Sequence, residues 1–174
     1  MILGLDISTS ITGATVINDS GKVIYNEAWD LRKYKDFFEK AEIIKGKIWQ
    51  LDDTFFIKEI YIEQSLQSFR SGFSSAKTLS TLSRFNGVIS WLCYDILKII
   101  PEYIAATSAR KKCGITVPKG TKAKQVVIKH VVDYVPDVLI EYTKHGNPKP
   151  QCYDMADSWV IAQAGWLDWQ KKKK

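Results

Sequence analysis

The sequence predicts an α/β fold: a five-stranded mixed sheet, with three antiparallel strands first and helices on both faces. Short runs rich in β-branched residues, joined by turn residues, predict the antiparallel part. Beyond them, segments with apolar residues at helical spacing alternate with two further short strands. Of the 174 residues, 45% are hydrophobic and 25% charged, which excludes a disordered chain and predicts one domain over residues 1–170 with a basic tail at 171–174.

Five segments have the pattern of strands. Asn18-Asp19-Ser20-Gly21 is typical turn chemistry between the second strand and the third. In the fourth strand, Ile60 and Ile62 share one face and Glu63 lies on the other. The predicted strands cover residues 2–7, 12–17, 23–29, 57–63 and 103–106.

Apolar periodicity predicts four helices and one basic helical turn. The helix of residues 76–100 carries a wider apolar arc than packing within one domain requires, which indicates either a homodimer contact or a helix buried on all sides. A Ser/Gly-rich loop is predicted over residues 65–75. The predicted helices cover residues 33–51, 76–100, 121–134 and 153–169, with the helical turn at 107–113.

Positive charge is concentrated in one internal segment. The net charge is +6, but four of these charges are the terminal lysines 171–174, so the rest of the chain is nearly neutral. Such a one-sign segment indicates either a polyanion-binding surface or a solvated helix face, and charge alone does not separate the two. The segment has no acid, and its basic residues are Arg110, Lys111, Lys112, Lys119, Lys122, Lys124 and Lys129.

The cysteines and the N-terminus indicate a compartment. Cys93, Cys113 and Cys152 are odd in number and far apart, which argues against a disulfide framework or a cysteine zinc site and is typical of a reducing environment. We expect no signal peptide and no membrane span, because polar residues interrupt each apolar run too early. The expected location is cytoplasmic (a host cytoplasm included) or nucleoid-associated, with an organelle matrix as an alternative.

Four carboxylates occupy positions where solvated acids are uncommon. Asp6 and Glu63 each end an apolar strand. Asp154 and Asp157 are three residues apart and share one face of the last helix; capping of that helix is an alternative explanation for Asp154. Carboxylates brought together require a cation, and oxygen ligands alone select Mg²⁺ or Mn²⁺. Two such ions can support phosphoryl displacement, so we expect two ions per site if the four acids converge.

These acids lie in three segments that resemble the signature segments of the RuvC family of Holliday junction resolvases, which are ribonuclease H-like nucleases. The segments are Ile2–Gly13, Ile62-Glu63-Gln64 and Asp154–Ala162. The resemblance spans nearly the whole chain and agrees in order and spacing. Many relatives have Pro-Gly-Ser where this chain has Ile7-Ser8-Thr9, and the segment after Glu63 is longer here, which indicates a divergent phage- or organelle-type member.

The resemblance implies a metal centre of Asp6, Glu63, Asp154 and Asp157, serving as both metal ligands and catalytic groups. It also implies a homodimer that nicks two opposed strands of a four-way DNA junction, leaving 5′-phosphate and 3′-hydroxyl ends. The dimer contact would then be the helix of residues 76–100.

The resemblance also gives the basic segment a role. Family lysines after strand five and at the next helix start contact DNA and assist catalysis, and Lys112 and Lys124 match them best. Lys111 and Lys122 are close competitors. Phe69 and Phe73 both qualify as an aromatic wedge at the junction centre. The expected DNA-binding residues are Phe69, Arg70, Phe73, Arg110, Lys111, Lys119, Lys122 and Lys129.

Two other functions remain open from the sequence. One keeps the fold and changes the substrate: a ribonuclease H-like nuclease acting on RNA or on other branched DNA. The other is a junction-binding protein without turnover. The four acids argue against a pure binder, because negative side chains facing phosphates would weaken binding.

Overall fold

A computed structural model describes residues 1–64 and 75–173 of the chain. Its strands form one five-stranded mixed sheet, as predicted. Among the described residues, no helix combines the length and apolar character needed to cross a membrane. The strands are β1 (Ile2–Asp6), β2 (Ile11–Ile17), β3 (Val23–Asp30), β4 (Glu59–Glu63) and β5 (Glu102–Ile104). The helices are α1 (Phe37–Thr54), α2 (Ala76–Leu97), α3 (Ala106–Lys112), α4 (Ala123–Tyr134) and α5 (Pro150–Lys172).

The sheet order is β3-β2-β1-β4-β5. Strands β1, β2 and β3 are antiparallel neighbours, whereas β4 runs parallel to β1 and β5 parallel to β4. The carboxyl ends of β1, β4 and β5 therefore lie at one edge of the sheet, beside the start of β2. This edge is where parallel α/β sheets usually carry their functional residues.

Side chains alternate between the two faces of the sheet and divide the core in two. On one face, Leu3 and Leu5 of β1 pack with Ile60 and Ile62 of β4 against α1 and α2. On the other face, Ile2 of β1 and Tyr61 of β4 pack against α3, α4 and α5. Helices thus cover both faces, as the sequence predicts.

Several predicted boundaries differ from the structure, and local chemistry explains the differences. Helix α1 begins at Phe37 and not at residue 33, because the Asp36 carboxylate caps it by accepting from the amides of Phe38 and Glu39. Helix α5 begins at Pro150, three residues before the predicted start, since proline suits the first helical position. Helix α2 ends at Leu97 and not at residue 100, because Lys98 adopts a left-handed conformation with φ 56°.

The remaining differences are small. Strand β5 covers 102–104 instead of 103–106. Helix α5 runs to Lys172 instead of ending at 169, so two of the four lysines assigned to a basic tail belong to this helix. Lys172 forms ion pairs with Glu102 and, at 3.9 Å, with Glu59. Of the predicted loop 65–75, only Ser75 lies within the described residues.

Helix α2 is buried on one side only. Phe85, Ile89 and Cys93 are fully enclosed, whereas Trp91 is 60% and Tyr94 48% exposed. A helix buried on all sides, one of the two explanations of its wide apolar arc, is therefore wrong.

Helix α5 crosses the sheet in unusually close contact at two glycines. A Cβ atom on Gly4 would lie 2.4 Å from the backbone nitrogen of Ala162. A Cβ atom on Gly13 would lie 2.0 Å from the carbonyl oxygen of Asp154. Since neither backbone can move without displacing a whole element, both positions require glycine.

We expect Gly4→Ala to destabilise the protein by roughly 2–3 kcal/mol, because the new methyl group would overlap the α5 backbone. Gly46→Ala is the matched control: Gly46 lies within α1, and a Cβ atom added there would meet nothing within 4 Å. That variant should gain about 0.5–1 kcal/mol from helix propensity. Urea unfolding would measure both, and equal stability of the Gly4 variant and the wild type would refute the close-packing argument.

Candidate active site

Asp6 and Glu63 lie at the ends of adjacent parallel strands. Leu5 of β1 is in register with Ile62 of β4, so the acids that follow them are neighbours at the same sheet edge. Alternation places Asp6 on the face opposite Leu5, and therefore on the face that α5 covers. Two carboxylates are thus directed beneath one helix.

Asp154 and Asp157 come from the second turn and the start of the third turn of that helix. They are the fifth and eighth residues of α5, and their side chains are 17% and 13% exposed. The first turn of α5 contains no acid, so capping does not account for Asp154. Their spacing of three residues points both towards the edge that carries Asp6 and Glu63.

Lys124 lies between the two aspartates of α5. Its Nζ is 3.1 Å from Oδ1 of Asp154 and 3.4 Å from Oδ2 of Asp157. The side chain comes from the first turn of α4, whose start places this ammonium group over the acids. Of the two lysines that compete for this position in the sequence, the structure therefore brings Lys124, and not Lys122, to the carboxylates.

Burial and neighbouring charges raise the pKa values of three of the acids. Burial, followed by the charges of Glu63 and Asp157, raises the pKa of Asp6 well above its ordinary value. Burial, followed by the charge of Asp157, raises the pKa of Glu63 to about 7. Burial also raises the pKa of Asp157, although Lys124 opposes this shift. Three carboxylates thus resist ionisation together.

The lysine and a nearby arginine partly compensate these acids. Burial lowers the pKa of Lys124, but the charges of Asp154, Asp157 and Asp6 outweigh it and raise the pKa overall. Arg110 lowers the pKa of both Glu63 and Asp157, so its positive charge also faces the site. The sequence placed Arg110 only among DNA-binding residues.

Lys112, a predicted catalytic lysine, lies elsewhere. Its ammonium group pairs with Asp168, which is three helical turns beyond Asp157 on α5, or about 16 Å at 1.5 Å per residue. The structure therefore does not bring Lys112 to the four carboxylates.

The other predicted DNA-binding residues have varied positions. Lys111, Lys119, Lys122 and Lys129 are exposed, and Lys129 pairs with Asp133 at 2.8 Å. Phe69, Arg70 and Phe73 lie outside the described residues, so their proposed wedge and DNA contacts stay predictions.

The chemistry of the donor set fits a hard divalent cation. Four carboxylates and no nitrogen or sulfur donor are the ligands that Mg²⁺ and Mn²⁺ prefer. Within residues 1–64 and 75–173, however, no three acidic, histidine or cysteine side chains are already arranged to hold one ion. Asp154 and Asp157 instead bind the ammonium group of Lys124, which supplies the positive charge in this conformation.

The sequence did not reveal a buried polar chain that holds Glu63. The Nδ2 atom of Asn86 donates to the carbonyl of Glu63 at 3.2 Å, and Ser90 donates to the carbonyl of Asn86 at 2.7 Å. Tyr103 donates in turn to Ser90 at 2.7 Å. The available signal was Asn86 within the apolar stripe of α2, where a polar residue needs a partner.

The raised pKa of Glu63 predicts a pH-dependent stability. The carboxyl group of Glu63 holds its proton more tightly in the native state than in the unfolded state. Its contribution to the free energy of unfolding is therefore complete below pH 4.5 and is lost as the pH rises through about 7. Glu63→Gln cannot ionise and should avoid this loss. In EDTA, the free energy of unfolding of this variant relative to the wild type should increase by roughly 2–3 kcal/mol between pH 4.5 and 7.5.

Urea unfolding across this pH range would measure the effect. Glu39→Gln, at an exposed position of α1, is the control and should run nearly parallel to the wild type. If the free energy of unfolding of Glu63→Gln also follows that of the wild type across this pH range, the raised pKa of Glu63 is contradicted.

No protein-family model matches the chain, and no curated protein matches it in sequence. Solved structures do match. RuvC from Thermus thermophilus in complex with Holliday junction substrate is 11% identical, with a TM-score of 0.68 over 98% of this chain and 94% of that one.

Two further structures agree. A second structure of Thermus thermophilus RuvC is 13% identical, with a TM-score of 0.65 over 98% of this chain and 96% of the other. The yeast mitochondrial Holliday junction resolvase Ydc2 is 19% identical, with a TM-score of 0.61 over 98% and 79%. The chain therefore has the ribonuclease H-like fold of RuvC, and the resemblance predicted from its sequence is confirmed at the level of the fold.

Proposed function

We propose that this chain is a metal-dependent endonuclease that resolves four-way DNA junctions by paired symmetric nicks. One observation carries the proposal: Asp6, Glu63, Asp154 and Asp157 meet at one sheet edge, where burial and neighbouring carboxylates raise the pKa values of Asp6, Glu63 and Asp157, on a fold shared with RuvC. Such grouping costs stability, which a protein tolerates where the acids serve chemistry. The expected products carry 5′-phosphate and 3′-hydroxyl ends.

The structural neighbours support the substrate. One is a RuvC complex with Holliday junction substrate, and another is a mitochondrial Holliday junction resolvase. The intact set of acids supports turnover in place of binding alone.

The four carboxylates would hold Mg²⁺, or Mn²⁺ in its place, with two ions per site. Bound there, the metal supplies positive charge that activates a water and stabilises the leaving oxygen of a phosphodiester. Asp6 and Glu63 are fixed by the sheet, whereas Asp154 and Asp157 are fixed by α5. The site is therefore assembled from two rigid elements, which favours exact positioning of the reacting phosphate.

Lys124 would place a positive charge beside that phosphate. Its ammonium group lies against Asp154 and Asp157 and is 58% exposed, so it faces both the acids and solvent. A cation in this position stabilises the negative charge that develops on the phosphate oxygens.

The exposed lysines near the site would form the DNA track. Arg110 and Lys111 line a surface pocket of about 320 Å³ with Gly114 and Thr116. Lys119 and Lys122 follow on the loop that leads into α4. These cations would bind the phosphate backbone in a salt-dependent manner.

The first test is nicking of a synthetic four-way junction with Mg²⁺. The wild type should give paired nicks, and Asp157→Asn should reduce the rate by about 100-fold or more, because the amide keeps the shape and removes the charge. Asp168→Asn is the matched control on the same helix and should retain nicking. Gel analysis would measure the rates, and fluorescence anisotropy the binding.

Other substrates separate the alternatives. Equal cleavage of linear duplex would refute junction selectivity, and faster cleavage of an RNA–DNA hybrid would indicate the ribonuclease alternative. Binding without cleavage by the wild type would leave a junction-binding protein.

We further propose that the protein is a homodimer through the exposed face of α2. A groove of about 620 Å³ between α1 and α2 is lined by Phe37, Phe38, Val88 and Trp91. Phe38 and Trp91 are 70% and 60% exposed. Large aromatic side chains on one face are typical of a protein–protein interface, and two sites in one dimer would permit paired nicks.

Trp91→Glu should convert the dimer to a monomer, since the acid would bury a charge in the interface. Leu139→Glu places the same charge at another apolar position, which is 77% exposed, and should leave the dimer intact. Light scattering after size-exclusion chromatography would measure the mass, and a monomeric wild type would refute this contact.

A further inference from the structure

A buried polar network lies directly beneath the turn of α5 that carries Asp154 and Asp157. We propose that Thr15, Asn26 and Ser158 form a positioning network that sets the orientation of those two carboxylates. The inference rests on the proposed function, because it assigns these residues a role in the same site. None of the three is a candidate metal ligand.

The hydrogen bonds of the network have one consistent direction. Ser158 Oγ donates to the carbonyl of Met155 at 2.9 Å, so it must accept from Thr15 Oγ1, which lies 2.8 Å away. Thr15 Oγ1 has then used its proton and accepts from Asn26 Nδ2 at 2.6 Å. The same amide also donates to the carbonyl of Met155 at 3.1 Å. Every branch of the network therefore ends on one carbonyl.

That carbonyl belongs to Met155, the first of the two residues between the aspartates. Met155 follows Asp154, and Ser158 follows Asp157, so the network holds the turn at both ends. On the sheet side it is anchored in β2 by Thr15 and in β3 by Asn26. Gly13, two residues before Thr15, brings the Asp154 backbone against β2. The glycine sets how near α5 lies, and the network sets how it is rotated.

Stability alone does not account for the network. Thr15 and Ser158 are fully buried, and the neighbouring core layer is apolar. Within the described part of the chain, Asn26 Oδ1 is buried without a hydrogen-bond partner, a cost that an apolar side chain would avoid. A polar network kept at such a cost, next to two grouped carboxylates, indicates a role in orientation.

Thr15→Val and Thr15→Ser form the test pair. Valine has the shape of threonine without the hydroxyl group and breaks the network at its centre, whereas serine keeps the hydroxyl group. We expect Thr15→Val to lower the single-turnover nicking rate by about 10–100-fold, because small displacements of catalytic groups have effects of this size. The dissociation constant for the junction should stay within about twofold of the wild-type value, since no residue of the network lies on the proposed DNA track.

Metal binding gives a readout that does not depend on turnover. Isothermal calorimetry with Mn²⁺ should show about tenfold weaker binding to Thr15→Val, because partners behind ligands commonly tune metal affinity by 10–100-fold. Thr15→Ser should restore both the metal affinity and the nicking rate. Ser158→Ala tests the same chain from the helix side, and adding it to Thr15→Val should cause little further loss. It also serves if Thr15→Val fails to fold.

Ile48→Val is the control for lost stability, since Ile48 is buried on the opposite face of the sheet. It should lower the melting temperature and leave the nicking rate and Mn²⁺ affinity unchanged. If the wild type binds Mn²⁺ and nicks junctions, but Thr15→Val and Thr15→Ser have the same Mn²⁺ affinity and the same nicking rate, the network inference alone is overturned. A wild type that neither binds Mn²⁺ nor nicks junctions would overturn the proposed function and this inference with it.

Discussion

The close packing of α5 on the first two strands is the constraint on which the rest of the structure depends. Gly4 and Gly13 leave room for helix backbone where any side chain would overlap it. Through this contact, one turn of α5 comes within reach of acids fixed at the ends of β1 and β4. A side chain at either glycine would hold α5, and with it Asp154 and Asp157, further from Asp6 and Glu63. The packing of the core therefore determines the position of the acids in the candidate site.

That proximity has an electrostatic cost, which the structure offsets in part. The burial of Asp6, Glu63 and Asp157 raises the pKa of each. Lys124 and Arg110 oppose the shift from the side of α4 and α3. Both cations come from the basic segment, whose charge left two explanations open in the sequence. Neither explanation alone describes Lys124 and Arg110, because these two residues partly neutralise the acids of their own chain.

Much of the fold and of the acidic cluster could be predicted from the sequence, because both depend on local patterns of residues. Strand ends marked by Asp6 and Glu63, and the three-residue spacing of the α5 acids, can be recognised within a few residues. The partner of Lys112 could not be predicted, because its pair with Asp168 depends on how α3 packs against α5. Nor could the Thr15–Ser158 contact, which joins residues 143 positions apart. Such contacts follow from tertiary packing, for which a single sequence has no short-range signal.

The buried hydroxyl of Thr15 also bears on how β2 finds its place during folding. All seven residues of β2 are buried, so this strand lacks the alternation of apolar and polar side chains that usually defines register. Slipping by one residue would exchange its faces, moving Thr15 to the face beneath α1 and α2, away from its partners Asn26 and Ser158. The same slip would set Thr12 or Ala14 against the α5 backbone in place of Gly13. In a strand that is buried on both faces, the Thr15 hydroxyl and the missing side chain of Gly13 thus disfavour the misaligned sheet.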